Sequence, residues 1–376
     1  MYNLADSSYL EQPRVMSTEI VEATVARAAE HVSLHSLPSF TFVFHGGEPL
    51  LAGIGTFTHF MDYALATFHG GPKPAFAVQT NGTLLTPEWC ELLRRYGVTV
   101  GISLDGPQMT NDMNRVDHNG KGSYKAARNG WDLAVSYGLD PGLLQVININ
   151  HDVETIYGHV KSLTPRVVDF LLPDATHDTP PTPFYDKLEI TPYADWLLDL
   201  FSLWTADESS AFQIKLFESI IASLIGVTSN ADSLGPSKNR TLIIETDGSI
   251  EPVDVLKACR HGITKTSLNV RTNTFDETFG HHLLTLYYDS ADLLCDTCKR
   301  CVCKHECSGG YLPHRYRSDS SFDNPSIYCR DLMKLILGIQ AWVVTNLPVE
   351  VQSKVEFASR SYPEARSALM GGSSGR

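Results

Sequence analysis

Five short, mostly apolar runs punctuate the first half of this chain, and amphipathic stretches separate them. The runs are FTFVF at 40–44, AFAVQ at 75–79, VTVGISL at 98–104, LLQVINI at 143–149 and VVDFLL at 167–172. Between them lie helical patterns. Residues 17–32 place Val21, Val25, Ala28, Ala29 and Val32 on one face behind a Ser17 cap, and similar spacing recurs at 87–96 and 124–137. Strands that alternate with helices require crossover connections, so the expected fold class is α/β with a parallel sheet.

Three runs end in a polar or glycine-rich signature: His45-Gly46-Gly47-Glu48-Pro49, Thr80-Asn81-Gly82 and Asp105-Gly106-Pro107. In a parallel barrel or half-barrel such segments share the carboxyl ends of the strands, where ligands bind. Each alone is an ordinary turn former, whereas three in register with successive strands are more than punctuation.

Six of the eight cysteines crowd into one C-terminal stretch: Cys295, Cys298, Cys301, Cys303, Cys307 and Cys329. Disulfide frameworks belong to short secreted chains. This chain has 376 residues and opens on MYNLADSSYL, with neither the basic, apolar pattern of a secretory signal nor an apolar run of spanning length. A reducing, cytoplasmic setting is expected, in which grouped thiolates read as metal ligands. The pair Cys298-x2-Cys301 suits zinc or iron–sulfur equally, and both stay open at this point. Thirty basic against forty-three acidic side chains leave a net charge of −13, which argues against a nucleic-acid surface or attraction to anionic lipid.

After Leu172 a proline-rich link at 173–186 marks a boundary or a substrate-facing loop. Helical patterns follow at 193–204 and 212–225, then a hairpin signal at 240–253 turning at Asp247-Gly248, then a closing helix over 331–346. The terminal MGGSSGR is expected to be disordered. Cys90, between Trp89 and Leu92, reads as a core thiol, and His45 more often serves structure than chemistry in such a place.

Together HGGEPLL, the TNG after a strand, SLDGP, Arg115, PHRY and NPSIYC resemble a radical S-adenosylmethionine (AdoMet) enzyme with a SPASM domain. The likeness runs from Tyr2 to about Leu337; it is to peptide maturases of FxsB type and also to anaerobic sulfatase-maturing enzymes. It implies a partial barrel of the TIM type plus a small cysteine-rich domain. The divisions expected are a core at 1–175, a linker and helical segment at 176–239, a SPASM domain at 240–337 and a helix end with tail at 338–376.

The resemblance also implies roles. Gly46, Gly47 and Glu48 would hold the methionyl ammonium of AdoMet, Ser103 and Asp105 its ribose, with Asn81 on the neighbouring strand end, and Arg115 the methionyl carboxylate. Cys298, Cys301, Cys307 and Cys329 would carry one auxiliary [4Fe–4S] cluster. A second auxiliary cluster is expected to be lost, because Tyr311 and Val253 stand where cysteines would, leaving only Cys259. Cys295 and Cys303 fall outside the pattern and read as accessory thiols.

The radical cluster of such enzymes is held by C-x3-C-x2-C ahead of the segment that begins here, and the first cysteine of this chain is Cys90. The expectation is a shortened form of an enzyme, inactive as it stands, lacking the first strand and the radical [4Fe–4S] cluster. A complete version would use a 5′-deoxyadenosyl radical to cross-link side chains of a ribosomal precursor peptide, as in a cyclophane. A flavodoxin or ferredoxin would supply electrons, and neither nucleic acid nor membrane is expected as a partner. A non-catalytic peptide- or AdoMet-binding module and a zinc-stabilised structural domain are the competing readings.

Overall fold

The computed structural model describes residues 5–184, 189–209, 211–227, 234–346 and 361–371. Six strands, β1 (Thr41–Phe44), β2 (Ala75–Thr80), β3 (Thr99–Ser103), β4 (Gly142–Val146), β5 (Val167–Leu171) and β6 (Gln213–Ile214), pair in chain order, every neighbour parallel. The sheet is open between β1 and β6, so no barrel closes.

A parallel ladder cannot turn directly back on itself, and helices make the returns. They are α1 (Thr18–Leu34) ahead of the sheet, then α2 (Ile54–Thr67), α3 (Pro87–Tyr96), the single turn α4 (Gln108–Asn111), α5 (Tyr124–Ser136), α6 (Val153–Leu163), α7 (Pro192–Ala206) and α8 (Lys215–Leu224). Ser17 accepts from the Ile20 amide as the N-cap of α1, and Thr86 and Asp152 cap α3 and α6 in the same way. Val78, Val100, Ile102, Leu143 and Val168 are buried under these helices. Gly130 of α5 lies so close to β2 that a Cβ there would sit 2.0 Å from the Gly82 carbonyl oxygen, which is why the helix carries glycine at that turn.

The sheet runs past the expected boundary at 175. β6 lies inside the segment assigned to linker and helix, and the helix expected from 212 starts at Lys215. Two residues of extended chain leading straight into an amphipathic run leave no period-2 signal of their own.

The C-terminal half is irregular. The hairpin β7 (Ile243–Ile244) and β8 (Ile250–Glu251) is followed by α9 (His282–Tyr288), two single turns α10 (Asp296–Lys299) and α11 (Lys304–Cys307), and the 18-residue α12 (Cys329–Asn346). Leu332, Leu335, Ile336 and Ile339 of α12 are buried with α7 and α8, which joins this half to the core of the sheet. A last helix, α13 (Tyr362–Gly371), takes in Met370 and Gly371 of the expected tail, while 372–376 lie outside the described residues, as do 185–186 of the proline-rich link. Among the described residues no helix is long and apolar enough to cross a membrane.

Candidate functional site

Because all six strands are parallel, their carboxyl ends share one rim, and the rim is stitched strand to strand by the side chains that the sequence singles out. Glu48, after β1, accepts from Thr80 Oγ1 at 2.7 Å and from the Asn81 amide at 2.9 Å, both at the end of β2. Gln79 of β2 donates to Ser103 Oγ of β3 at 3.0 Å. Asp105, just past β3, accepts from the Val146 amide at the end of β4 at 2.9 Å. Its carboxylate also takes a two-pronged grip from Arg115, 2.6 Å from Nε and 3.1 Å from Nη2. Glu48, Asn81, Ser103, Asp105 and Arg115 are thus brought together, with the Arg115 fork closed on Asp105. Gly46 and Gly47 stand over open space: a Cβ on either would meet nothing within 4 Å, and Gly46 has φ +129°, where a side chain would be strained.

Two acids missing from the sequence reading join this rim. Asp254 is buried and lies 3.5 Å from His45 Nδ1, and its Oδ2 makes no hydrogen bond. Asp174, just past β5, has its pKa raised by burial, with Asp254 adding to the shift. The segment bearing Asp254 therefore reaches the strand ends from the C-terminal half. The only prior signal was an acid shortly after a Gly-Ser hairpin turn, which is too common to single out.

The thiols form a second centre. Cys298, Cys301, Cys307 and Cys329 line one cavity, together with Cys303, Met333 and Leu369. Cys303, read from the sequence as an accessory thiol, shares this wall with Cys301. Cys295 is hydrogen-bonded to Cys298, which together with Arg315 draws its pKa down to about 6. Burial pushes Cys329 up to about 12 and raises Cys307 as well. The hydrogen bond from Cys303 draws Cys301 down to about 7, whereas burial disfavours the thiolates of Cys307 and Cys329, which a bound cation would stabilise. Five cysteine sulfurs line this cavity, and four of them would suffice as the donor set of a [4Fe–4S] cube, so the residues present fit that group. Cys90 is buried on α3, in the core of the sheet.

Where a second cluster would sit, Val253, Val255, Leu256, Tyr316 and Phe322 pack as a separate apolar cluster against Cys259 and Tyr311. Cys259 points its thiol at the Pro313 carbonyl, and burial pushes its pKa up to about 12.

Two neighbours support this half. Arg315, 1% exposed, donates to the carbonyls of Phe322 at 3.1 Å, Ser290 at 2.9 Å and Leu293, tying the strand of chain before Cys295 to the loop before Cys329. His314, 3% exposed, is held neutral: burial, partly offset by the Pro173 carbonyl, pushes its pKa down to about 3. A histidine whose folded pKa lies below its unfolded value of about 6.5 gives stability that is present above that pH and lost as pH falls from about 6.5 toward 3. At pH 5 the loss should reach about 2 kcal/mol, at 1.36 kcal/mol per unit. His314→Phe should abolish this part of the acid sensitivity, read from urea unfolding of the metal-free chain at pH 7 and pH 5; an unchanged pH dependence would show that His314 does not titrate on unfolding.

Residues 8–161 match the Radical SAM superfamily model. Over 335 residues the chain is 26% identical to the cysteine-type anaerobic sulfatase-maturating enzyme of Clostridium novyi, covering 87% of each chain. It is 24% identical over 327 residues to the serine-type enzyme of Bacteroides thetaiotaomicron, covering 82% of this chain and 77% of the relative. The fold matches native anSMEcpe with bound AdoMet and Cp18Cys peptide at a TM-score of 0.78, with 22% identity over 94% of this chain and 96% of that one. Streptococcus suis SuiB bound to precursor peptide SuiA matches at 0.53, with 14% identity over 82% of this chain and 69% of that one. The chain carries a radical SAM domain. Over most of its length it is similar to the anaerobic sulfatase-maturating enzymes.

Proposed function

We propose that this chain binds AdoMet at the strand-end rim, holds one [4Fe–4S] cluster on Cys298, Cys301, Cys307 and Cys329, and acts on a side chain of a ribosomally made precursor peptide. The observation that carries the first part is the rim itself, where Glu48, Ser103, Asp105 and Arg115 are locked by hydrogen bonds beside the open space at Gly46 and Gly47. AdoMet would supply hydrogen-abstracting chemistry only on receiving an electron from a reduced [4Fe–4S] cluster with an iron open to it, and that reactivity belongs to the cofactors. The protein's share is placement. Glu48 offers a carboxylate toward an ammonium, and Arg115 offers a fork that either a ligand carboxylate or Asp105 can occupy. The open side of the rim, with Asp254 and His45, is where a peptide would enter. Peptides bound to anSMEcpe and to SuiB support this class of partner. In this reading residues 1–175 handle AdoMet, 176–239 link and contribute β6 to the sheet, 240–337 carry the cluster, and 338–376 hold the end of α12 and α13. The product would be a side-chain cross-link, and a flavodoxin or ferredoxin would deliver electrons.

Glu48→Ala should weaken AdoMet binding at least about tenfold, or about 1.4 kcal/mol, in anaerobic equilibrium dialysis. An unchanged affinity would remove Glu48 from the pocket.

The cysteine inventory favours a second reading. Within these 376 residues, Cys90 lies in the core and the other seven lie at Cys259 or beyond, so no triad of thiols comes from the β1 side of the rim. The chain by itself would then bind AdoMet and peptide without cleaving AdoMet. Anaerobic incubation with a reductant separates the two: 5′-deoxyadenosine formed by the 376-residue chain supports catalysis, and its absence with AdoMet still bound supports the binding module.

A further inference from the structure

The end of α1 meets the C-terminal half through three side chains able to bind a metal ion, none of them part of the rim or the thiol cavity. His31 lies in the last turn of α1, and His35 is its C-cap, four residues on and so on the same face. Their rings are 4.6 Å apart. Both aim a nitrogen at one carboxylate: His31 Nδ1 lies 2.7 Å from Asp276 Oδ1, and His35 Nε2 lies 2.9 Å and 3.0 Å from the two Asp276 oxygens. The ligand atoms all fall within 4.8 Å of one another. Asp276 opens a short turn 241 residues beyond His35, so the grouping is made by the fold and not by local sequence.

We propose that His31, His35 and Asp276 form a binding site for a divalent transition-metal ion of the zinc class, which ties the first helix to the C-terminal half. Two imidazoles and a carboxylate are a ligand set that zinc accepts, with water completing the tetrahedron. Bonds of about 2.0–2.1 Å to nitrogen and oxygen require donors about 3.3 Å apart in a tetrahedron, so the two N···O distances must open by a few tenths of an ångström while the two nitrogens, within 4.8 Å of each other, settle to the same spacing. A tautomer change turns each ring's lone pair, in place of its N–H, toward the carboxylate, and the three atoms that now hydrogen-bond become ligands. The helix C-terminus, with its partial negative charge, adds to the attraction for a cation. Phe275 and Phe279 stand beside His31, at 6.1 Å and 6.4 Å between ring centres, and wall one side. The side chains remain partly open to solvent, 19% for His31, 41% for His35 and 33% for Asp276, which leaves an entry path.

The test uses the full, iron-loaded chain titrated with Zn²⁺. Calorimetry should show one zinc per chain, and the thermal midpoint should rise on binding. His35→Ala changes an exposed group and Asp276→Asn is isosteric at a half-buried one, so both should leave the fold intact. Each should weaken binding by about 100-fold or more, since even an outer-shell partner is worth about 10–100-fold, and each should abolish the thermal shift. X-ray absorption at the zinc edge should show only nitrogen or oxygen neighbours at about 2.0–2.1 Å. A sulfur shell at about 2.3 Å, which would place the zinc on the thiols, overturns the proposal, as does an affinity unchanged in either variant.

Discussion

Cys307→Ser should strip most of the bound iron from the anaerobically reconstituted chain and loosen its C-terminal half. A cube held by four thiolates is left with three, and a serine hydroxyl is a poor substitute for a buried sulfur. Cys307 lines the cavity with Cys298, Cys301 and Cys329, so its loss opens the wall directly. Because the metal's binding energy is part of the folding energy of such a centre, the variant should also unfold at lower denaturant. Cys303 offers an internal control: it shares the cavity but lies outside the expected ligand set, and Cys303→Ser should keep the iron. If the two variants exchanged behaviour, Cys303 would be the ligand and the spacing-based assignment would fall.

Arg315→Ala should destabilise the chain by on the order of 4 kcal/mol, without removing a single thiol. The guanidinium satisfies three backbone carbonyls in a space closed to water. Each buried acceptor left bare costs about 1–3 kcal/mol, and the vacated volume adds a cavity cost. The carbonyls of Ser290 and Leu293 lie just before Cys295, so the turn that presents Cys298 should lose its anchor and iron retention should fall with stability. Urea unfolding and iron content on the same preparation check both. Stability within about 0.5 kcal/mol of the parent would mean that the carbonyls find water, and that Arg315 is not the strut of this half.

Much of this was legible in the sequence, for reasons that differ from element to element. β1 to β5 announce themselves as short apolar runs bounded by turn residues, although burial alternates along each strand, and their boundaries shift by only a few residues. α1 was visible through a cap plus a 3.6-residue stripe, and α3 through the stripe alone. α2 was not, because IGTFTHFMDYALAT is apolar or small on most faces and shows little contrast. β6 was too short to carry a pattern, and Met370 and Gly371 join a helix because Ala365 of the same helix is buried. At the site, single-residue signatures located the rim, but pairings through space were hidden. Nothing in the spacing reveals that Arg115 closes on Asp105, that Asp254 comes to His45, or that Cys303 shares the wall of the cavity. Motif spacing reports what lies near along the chain, and these contacts depend on where the chain returns.

Iron stoichiometry tests most directly whether the proposed four-thiolate centre on Cys298, Cys301, Cys307 and Cys329 is the single cluster of this chain. Anaerobic reconstitution of the 376-residue chain, followed by iron and sulfide analysis with Mössbauer spectroscopy, should give about four irons per chain in one cubane. Eight irons, or a chain that takes up zinc and no iron, would contradict the account.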